Sequence, residues 1–87
     1  MKVHDFSAGP AILAQEVFAQ AAEAVRDLNG LGLSILEISH RAPEFVAILE
    51  EAEALVRELL SVGDDYAVLV LTGGASSQFY MAPMNLL

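Results

Sequence analysis

Two short stretches carry residue types that can do chemistry on an anion. Ser39-His40-Arg41 sets a hydroxyl, an imidazole and a guanidinium in succession between two regular segments. An arginine in such a loop can grip a carboxylate or phosphate through its two-pronged guanidinium, and His40 can add a donor. The plainer alternative is a surface arginine beside Glu37 or Glu44 and a histidine satisfied by backbone. The second stretch is Val68-Leu-Val-Leu-Thr-Gly-Gly-Ala-Ser-Ser-Gln-Phe79, an apolar run that stops at Thr72 in two glycines and small polar residues. Strand, glycine turn and helix in that order are the plan of an anion site. The glycines let a ligand approach the backbone, and the free N–H groups of the helix's first turn hold it. No Gly-Lys-Ser/Thr follows, so this is not a nucleotide P-loop, and the GxGxxG dinucleotide turn is missing too. Spacing alone does not separate a phosphate cradle from an ordinary turn capped by Ser76 or Ser77. No nucleophile–base pair can be assembled either, because Ser39 beside His40 is adjacency in sequence and not geometry.

Scarcity excludes other chemistries. The chain has no cysteine, so neither disulfides nor thiolate metal sites are available, and His4 and His40 are too few and too far apart for a metal centre. Lys2, Arg26, Arg41 and Arg57 are the basic residues, and the net charge is −8. That balance argues against nucleic acid and against an anionic membrane surface as partners. Met1-Lys-Val-His-Asp5 has neither the apolar core nor the cleavage site of a signal peptide. No apolar run approaches the roughly 20 residues that span a bilayer, and the chain reads as cytoplasmic.

The elements that must position these residues follow from periodicity. Phe6-Ser-Ala-Gly-Pro10 reads as a loop, with Pro10 and Ala11 opening a helix. From Ile12 to Leu28, Leu13, Val17, Ala21 and Val25 recur at four-residue steps and predict an amphipathic helix that Asn29-Gly30 ends. Leu33 to Ser39 reads as extended. Pro43 opens a second helix with Phe45, Ile48 or Leu49, Ala52, Leu55 or Val56, and Leu59 on its apolar face. Glu44, Glu50, Glu51, Glu53 and Glu58 form its solvated face, and Glu53 and Arg57 stand at ion-pair spacing. After a turn at Val62-Gly-Asp-Asp65, Tyr66 to Leu71 is apolar on both faces, the pattern of a buried parallel strand. Ser76 to Leu87 reads as a helix with a kink at Pro83.

This order describes an α/β protein with one clear buried strand. A single strand cannot satisfy its own backbone groups in a buried position, so the sheet it belongs to is expected outside these residues. At 87 residues the chain is at most one small domain, yet it is 55% hydrophobic, with a mean hydropathy of +0.51. A domain this small has a large surface fraction and needs more polar residues than that. Residues 1–87 are therefore expected to be a single incomplete segment, the amino-terminal piece of a larger protein, partly unfolded or aggregated when alone.

With these residues laid out, the chain resembles the amino-terminal part of the phosphoserine aminotransferases, class-V, fold-type-I pyridoxal-phosphate enzymes. The resemblance covers nearly the whole chain. It is carried by Phe6-Ser-Ala-Gly-Pro-Ala11, Asp27-Leu-Asn-Gly-Leu-Gly32, Glu37-Ile-Ser-His-Arg41, and Glu44-Phe45 with Glu50-Glu-Ala-Glu53. It continues in Gly73-Gly-Ala-Ser-Ser-Gln-Phe79 and Pro83-Met-Asn-Leu-Leu87, and the order and spacing of the set are what make it specific. The resemblance implies an amino-terminal arm followed by the start of the large cofactor-binding domain. It implies transfer of an amino group between L-glutamate and 3-phosphohydroxypyruvate, giving phosphoserine and 2-oxoglutarate, with pyridoxal 5'-phosphate as cofactor. The pathway implied is serine biosynthesis, with a role in pyridoxine biosynthesis left open, and the assembly implied is a homodimer.

By the same resemblance Ala75 and Ser76 bind the cofactor phosphate through backbone and hydroxyl groups. Some members carry arginine or cysteine where Ser76 stands, so the backbone is the firmer part of that assignment. Arg41 is implied to bind the anionic substrate, glutamate or phosphoserine, with His40 helping at the substrate phosphate and the pair reaching the partner subunit's site. Ser7 is implied to lie near the site. The chain departs from the family pattern in one decisive respect. Such enzymes hold the cofactor on a lysine, whereas Lys2, the one lysine here, matches nothing catalytic. The ring-stacking aromatic, the aspartate for the pyridine nitrogen and the second substrate arginine also belong to chain outside these residues. The implied enzyme therefore needs its missing carboxyl-terminal portion. A reading from another class is a stand-alone truncated module that binds anions or a partner without catalysis.

Overall fold

The four-residue apolar steps build a first helix, α1, over Gln15–Arg26 in the computed structural model, which describes residues 2–87. A second, α2, spans Pro43–Leu59 and a third, α3, spans Ala75–Leu86. The chain divides into two units, Met1–Val46 and Ala47–Leu87, and the boundary falls within α2.

In the first unit, α1 does not open at Pro10 and Ala11 as the sequence suggests but at Gln15, three residues after Ile12, the first residue of its apolar pattern. Ala14 is the N-cap, with extended backbone (φ −62°, ψ 145°) and no side-chain cap. None of Ala11, Ile12, Leu13 and Ala14 can bond the first free N–H groups, so nothing fixes an earlier start. At the other end Asp27 closes the turn that sequence placed at Asn29-Gly30. Its carboxylate accepts the N–H of Gly30 at 2.6 Å and of Gly32 at 2.5 Å. Asn29 and Gly30 take positive φ there, 52° and 78°. The returning chain donates the Ile35 N–H to the Ala24 carbonyl at 2.9 Å, and Leu28 donates its N–H to the Leu33 carbonyl at 2.8 Å. Leu28, 5% exposed, is the one buried apolar side chain among the described residues.

Residues 33–39 are not extended, contrary to the sequence expectation. They form turns around Ser34, which is buried. The Ser34 carbonyl accepts the Glu37 N–H at 2.9 Å, its hydroxyl accepts the Leu36 N–H at 3.1 Å, and its N–H donates to Glu37 Oε1 at 2.9 Å. Short side chains that bond nearby backbone compete with a strand ladder in this way, and here they prevail over the β-branched Ile35 and Ile38.

In the second unit α2 ends in a paired closure. Ser61 donates its N–H to the Glu58 carbonyl at 3.2 Å and Val62 to the Arg57 carbonyl at 2.9 Å, with Ser61 at φ 53°. Arg57 does not pair with Glu53. Its Nη1 donates to the carbonyls of Gly63 at 2.9 Å and Tyr66 at 3.1 Å, tying the helix end to the next turn. A guanidinium carries several N–H donors, so one nitrogen can bond both carbonyls at once. The one ion pair among the described residues is Arg26 with Glu23, three positions apart on α1.

The clear buried strand at Tyr66 to Leu71 is absent, and the described residues contain no strand at all. Residues 67–71 are irregular, and Leu69 is 71% exposed. The pattern for a strand is present, but a strand exists only as part of a ladder, and these residues have no neighbour to pair with. α3 forms as expected, one residue earlier than the Ser76 start, with Pro83 inside it.

None of the three helices buries a residue fully. The chain exposes 7664 Å². A compact protein of half its mass exposes about 3,000 Å², so two such units that never touched would expose about 6,000 Å². Large apolar side chains are among the exposed ones, with Phe6 93% and Phe79 82% exposed. Chemical unfolding of the isolated chain, followed by circular dichroism, is expected to show a shallow transition without a cooperative midpoint. A steep urea transition, with a slope above about 1 kcal/mol/M, would show instead that the segment is a self-sufficient domain.

Candidate functional site

The Ser39-His40-Arg41 stretch occupies the turn that enters α2, within the first unit. The Ser39 carbonyl accepts the Ala42 N–H at 2.9 Å, and the Ala42 carbonyl accepts the N–H groups of Phe45 and Val46, both at 3.0 Å. The Ser39 hydroxyl accepts the Arg41 N–H at 3.1 Å. Backbone at Arg41 is thus held while its side chain, like that of His40, stays exposed. Neither side chain has a hydrogen-bond or ion-pair partner among the described residues. The surface pairing of Arg41 with Glu37 or Glu44 is not formed. Glu37 instead spends Oε1 on the Ser34 N–H. An unneutralised guanidinium in a chain of net charge −8 is a standing donor for an external anion.

The glycine turn and α3 lie in the second unit. Gly74 is the N-cap, extended at φ −101° and ψ −168°, and no side chain caps the helix. Ser76 and Ser77 therefore are not N-caps, because both sit inside the first turn. The N–H groups of Ala75, Ser76 and Ser77 have no partner among the described residues, while Gln78 donates to the Gly74 carbonyl at 3.3 Å. The first turn contains no acidic residue, so nothing opposes the positive end of the helix dipole.

The two serines are not equivalent. Ser76 is exposed and Ser77 is half-buried. A Cβ on Gly73 would stand 2.9 Å from the Ser77 Cβ and 3.0 Å from its Oγ. Gly73 also has φ +86°, a region that L side chains rarely adopt. The Ser77 side chain packs under the turn at Gly73, which leaves the Ser76 hydroxyl as the one open to a ligand. Sequence reading singled out the glycines as a pair, yet Gly74 has nothing within 4 Å of an added Cβ. It named Ser39 beside His40 and Arg41 but not its part in the turn, where its hydroxyl accepts the N–H two residues on in the pattern of a serine turn.

Elsewhere, polar groups are committed locally. Ser7, expected near the site, donates its hydroxyl at 2.5 Å and its N–H at 2.9 Å to Asp5 Oδ1. Those bonds hold the Asp5 carboxyl below its ordinary value. A depression of about 490 Å³ along α1 includes Glu23 and Asp27. Its two carboxylates are already taken by Arg26 and by the glycine N–H groups. A groove of about 390 Å³ beside α3 is lined by Leu71, Thr72, Gln78, Met81, Ala82 and Asn85 and holds no ionisable group.

Residues 3–87 match the family described as aminotransferase class-V. The chain is 54% identical over 87 residues to the phosphoserine aminotransferase of Bacteroides fragilis, covering 100% of this chain and 24% of that protein. It is 58% identical over 88 residues to that of Flavobacterium psychrophilum, covering 100% of this chain and 25% of the relative. The chain thus spans about a quarter of the length of the curated relatives it matches. Among solved structures, a phosphoserine aminotransferase studied for radiation damage of its Schiff base superposes with a TM-score of 0.88 at 41% identity. The match covers 98% of this chain and 24% of that one. The pyridoxal-phosphate-bound phosphoserine aminotransferase of Trichomonas vaginalis gives a TM-score of 0.87 at 36% identity, over 97% of this chain and 23% of that one.

The contrast between the two glycines is testable in the full-length protein that carries this segment. Gly73→Ala is expected to destabilise by about 1–3 kcal/mol, because a left-handed φ and a close contact both oppose the new methyl. Gly74→Ala should cost less than about 1 kcal/mol. Thermal unfolding of the two variants checks the order.

Proposed function

The chain belongs to the aminotransferase class-V family, and from that premise we propose that it supplies the amino-terminal part of a phosphoserine aminotransferase. The whole enzyme is proposed to have the α/β, fold-type-I architecture, with residues 1–87 forming its arm and the start of its large domain. It would move an amino group between L-glutamate and 3-phosphohydroxypyruvate with pyridoxal 5'-phosphate, in the cytoplasm, for serine biosynthesis and, as a second role, pyridoxine biosynthesis. Relatives that match this chain from end to end and run on well beyond it support the reading. Nothing favours a stand-alone binding module.

The observation that carries the chemical part is the uncapped start of α3. Three neighbouring N–H groups without partners, an exposed Ser76 hydroxyl and a glycine turn suit a phosphate. Ala75 and Ser76 are the residues proposed to hold the cofactor phosphate. Bound there, pyridoxal phosphate supplies the aldehyde and the electron-withdrawing ring on which amino transfer depends. Arg41 is proposed to pair with a substrate carboxylate or phosphate, and His40 to donate to the substrate phosphate. In the proposed homodimer the two serve the partner subunit's site. The lysine that holds the cofactor, its stacking aromatic and the second substrate arginine are assigned to the remaining chain.

In the full-length enzyme Arg41→Ala is expected to raise KM for glutamate and phosphoserine roughly 10- to 100-fold, in line with a charge-assisted hydrogen bond. Unchanged values would remove the substrate-binding role. Ser76→Ala should weaken cofactor retention by about 1–3 kcal/mol, read by titrating the apoenzyme with pyridoxal phosphate and following absorbance.

A further inference from the structure

We propose that Ser39 is a positioning residue, whose hydroxyl holds the Arg41 backbone and thereby aims the anion-binding guanidinium. The inference rests on the substrate-binding role proposed for Arg41.

The Arg41 side chain is exposed and has no hydrogen bond or ion pair among the described residues, so no polar contact sets its direction. What remains is the backbone, and the Arg41 N–H makes one bond, to Ser39 Oγ at 3.1 Å. Ser39 uses two acceptors within one turn, because its carbonyl also takes the Ala42 N–H at 2.9 Å. Ala42 then starts α2 by accepting from Phe45 and Val46. The direction of the Arg41 Cα–Cβ bond is in this way coupled to the α2 helix. Upstream, Glu37 Oε1 accepts the N–H of buried Ser34 at 2.9 Å, and Glu37 makes no ion pair with Arg41. Arginine carries a large rotamer entropy. A fixed Cα–Cβ direction lowers the ordering cost when the guanidinium meets an anion, and such preorganisation acts on affinity. Ser39 is exposed, so loss of its hydroxyl should leave the rest of the fold in place.

The test uses the full-length enzyme with steady-state kinetics for glutamate and phosphoserine. Ser39→Ala is expected to raise both KM values roughly 2- to 10-fold, the range of one neutral hydrogen bond. Turnover, thermal midpoint and pyridoxal phosphate affinity should stay as in the parent. Ser39→Thr, which keeps the hydroxyl, should restore KM. In an Arg41→Ala background Ser39→Ala should add nothing, because the serine acts through the arginine. The proposal is overturned if Ser39→Ala leaves KM unchanged, if its effect falls on turnover or thermal midpoint, or if it persists without Arg41. An Arg41→Ala variant with parental KM would be a different failure, removing the substrate-binding reading and this proposal with it.

Discussion

A strand exists only where a neighbour supplies hydrogen-bond partners, and residues 67–71 stay irregular because the described residues supply none. Ala67-Val-Leu-Val-Leu71 has the composition of a buried strand on both faces. In this chain it remains largely exposed, since the ladder that would make it a strand has no second member. The same shortage runs through the helices, whose apolar faces close on little of their own chain. Leu28 is the one buried apolar side chain among the described residues, and none of the three helices contributes a buried residue.

Where a core is thin, local polar bonds take over the work of shaping loops. Asp27 closes the turn after α1, Ser34 with Glu37 closes the next one, Ser39 closes the entry to α2, and Arg57 ties down its exit. Each is a side chain bonded to backbone only a few residues away. Such bonds form without long-range packing, because closing a short loop costs little chain entropy. They also account for the difference between turns that are well shaped and helices that remain uncovered.

Two of the donors that this local closure leaves without partners are the ones proposed to meet anions. The Arg41 guanidinium and the first N–H groups of α3 are unpaired, whereas Glu23, Glu37, Asp27 and Arg57 are already engaged. Both leftover groups are hydrogen-bond donors and both favour an anion, in a chain whose net charge is −8. An arginine and a helix amino terminus suit substrates and a cofactor that carry phosphate or carboxylate.

Much of this was legible from residue order alone. The apolar repeats of α1 and α2 and the position of Pro43 specify helices, because helical periodicity and proline's fixed φ act within a few residues. Family membership was legible from the spacing of FSAGPA, SHR and GGASS, since each motif is local. Three features were decided only in three dimensions. The fate of residues 67–71 depends on a pairing neighbour that the described residues do not supply, so a strand pattern could be read but no strand forms. The turns at 33–39 arose from Ser34 and Glu37 prevailing over β-branched neighbours, a competition that propensity does not resolve. The different settings of Ser76 and Ser77 came from Gly73, which has a left-handed φ and where an added Cβ would stand 2.9 Å from the Ser77 Cβ, so one serine lies under the turn and the other is open. Periodicity and motif spacing are written along the chain. Which groups end up paired, packed or free is settled only when the folded backbone brings side chains and main-chain groups into competition for the same partners.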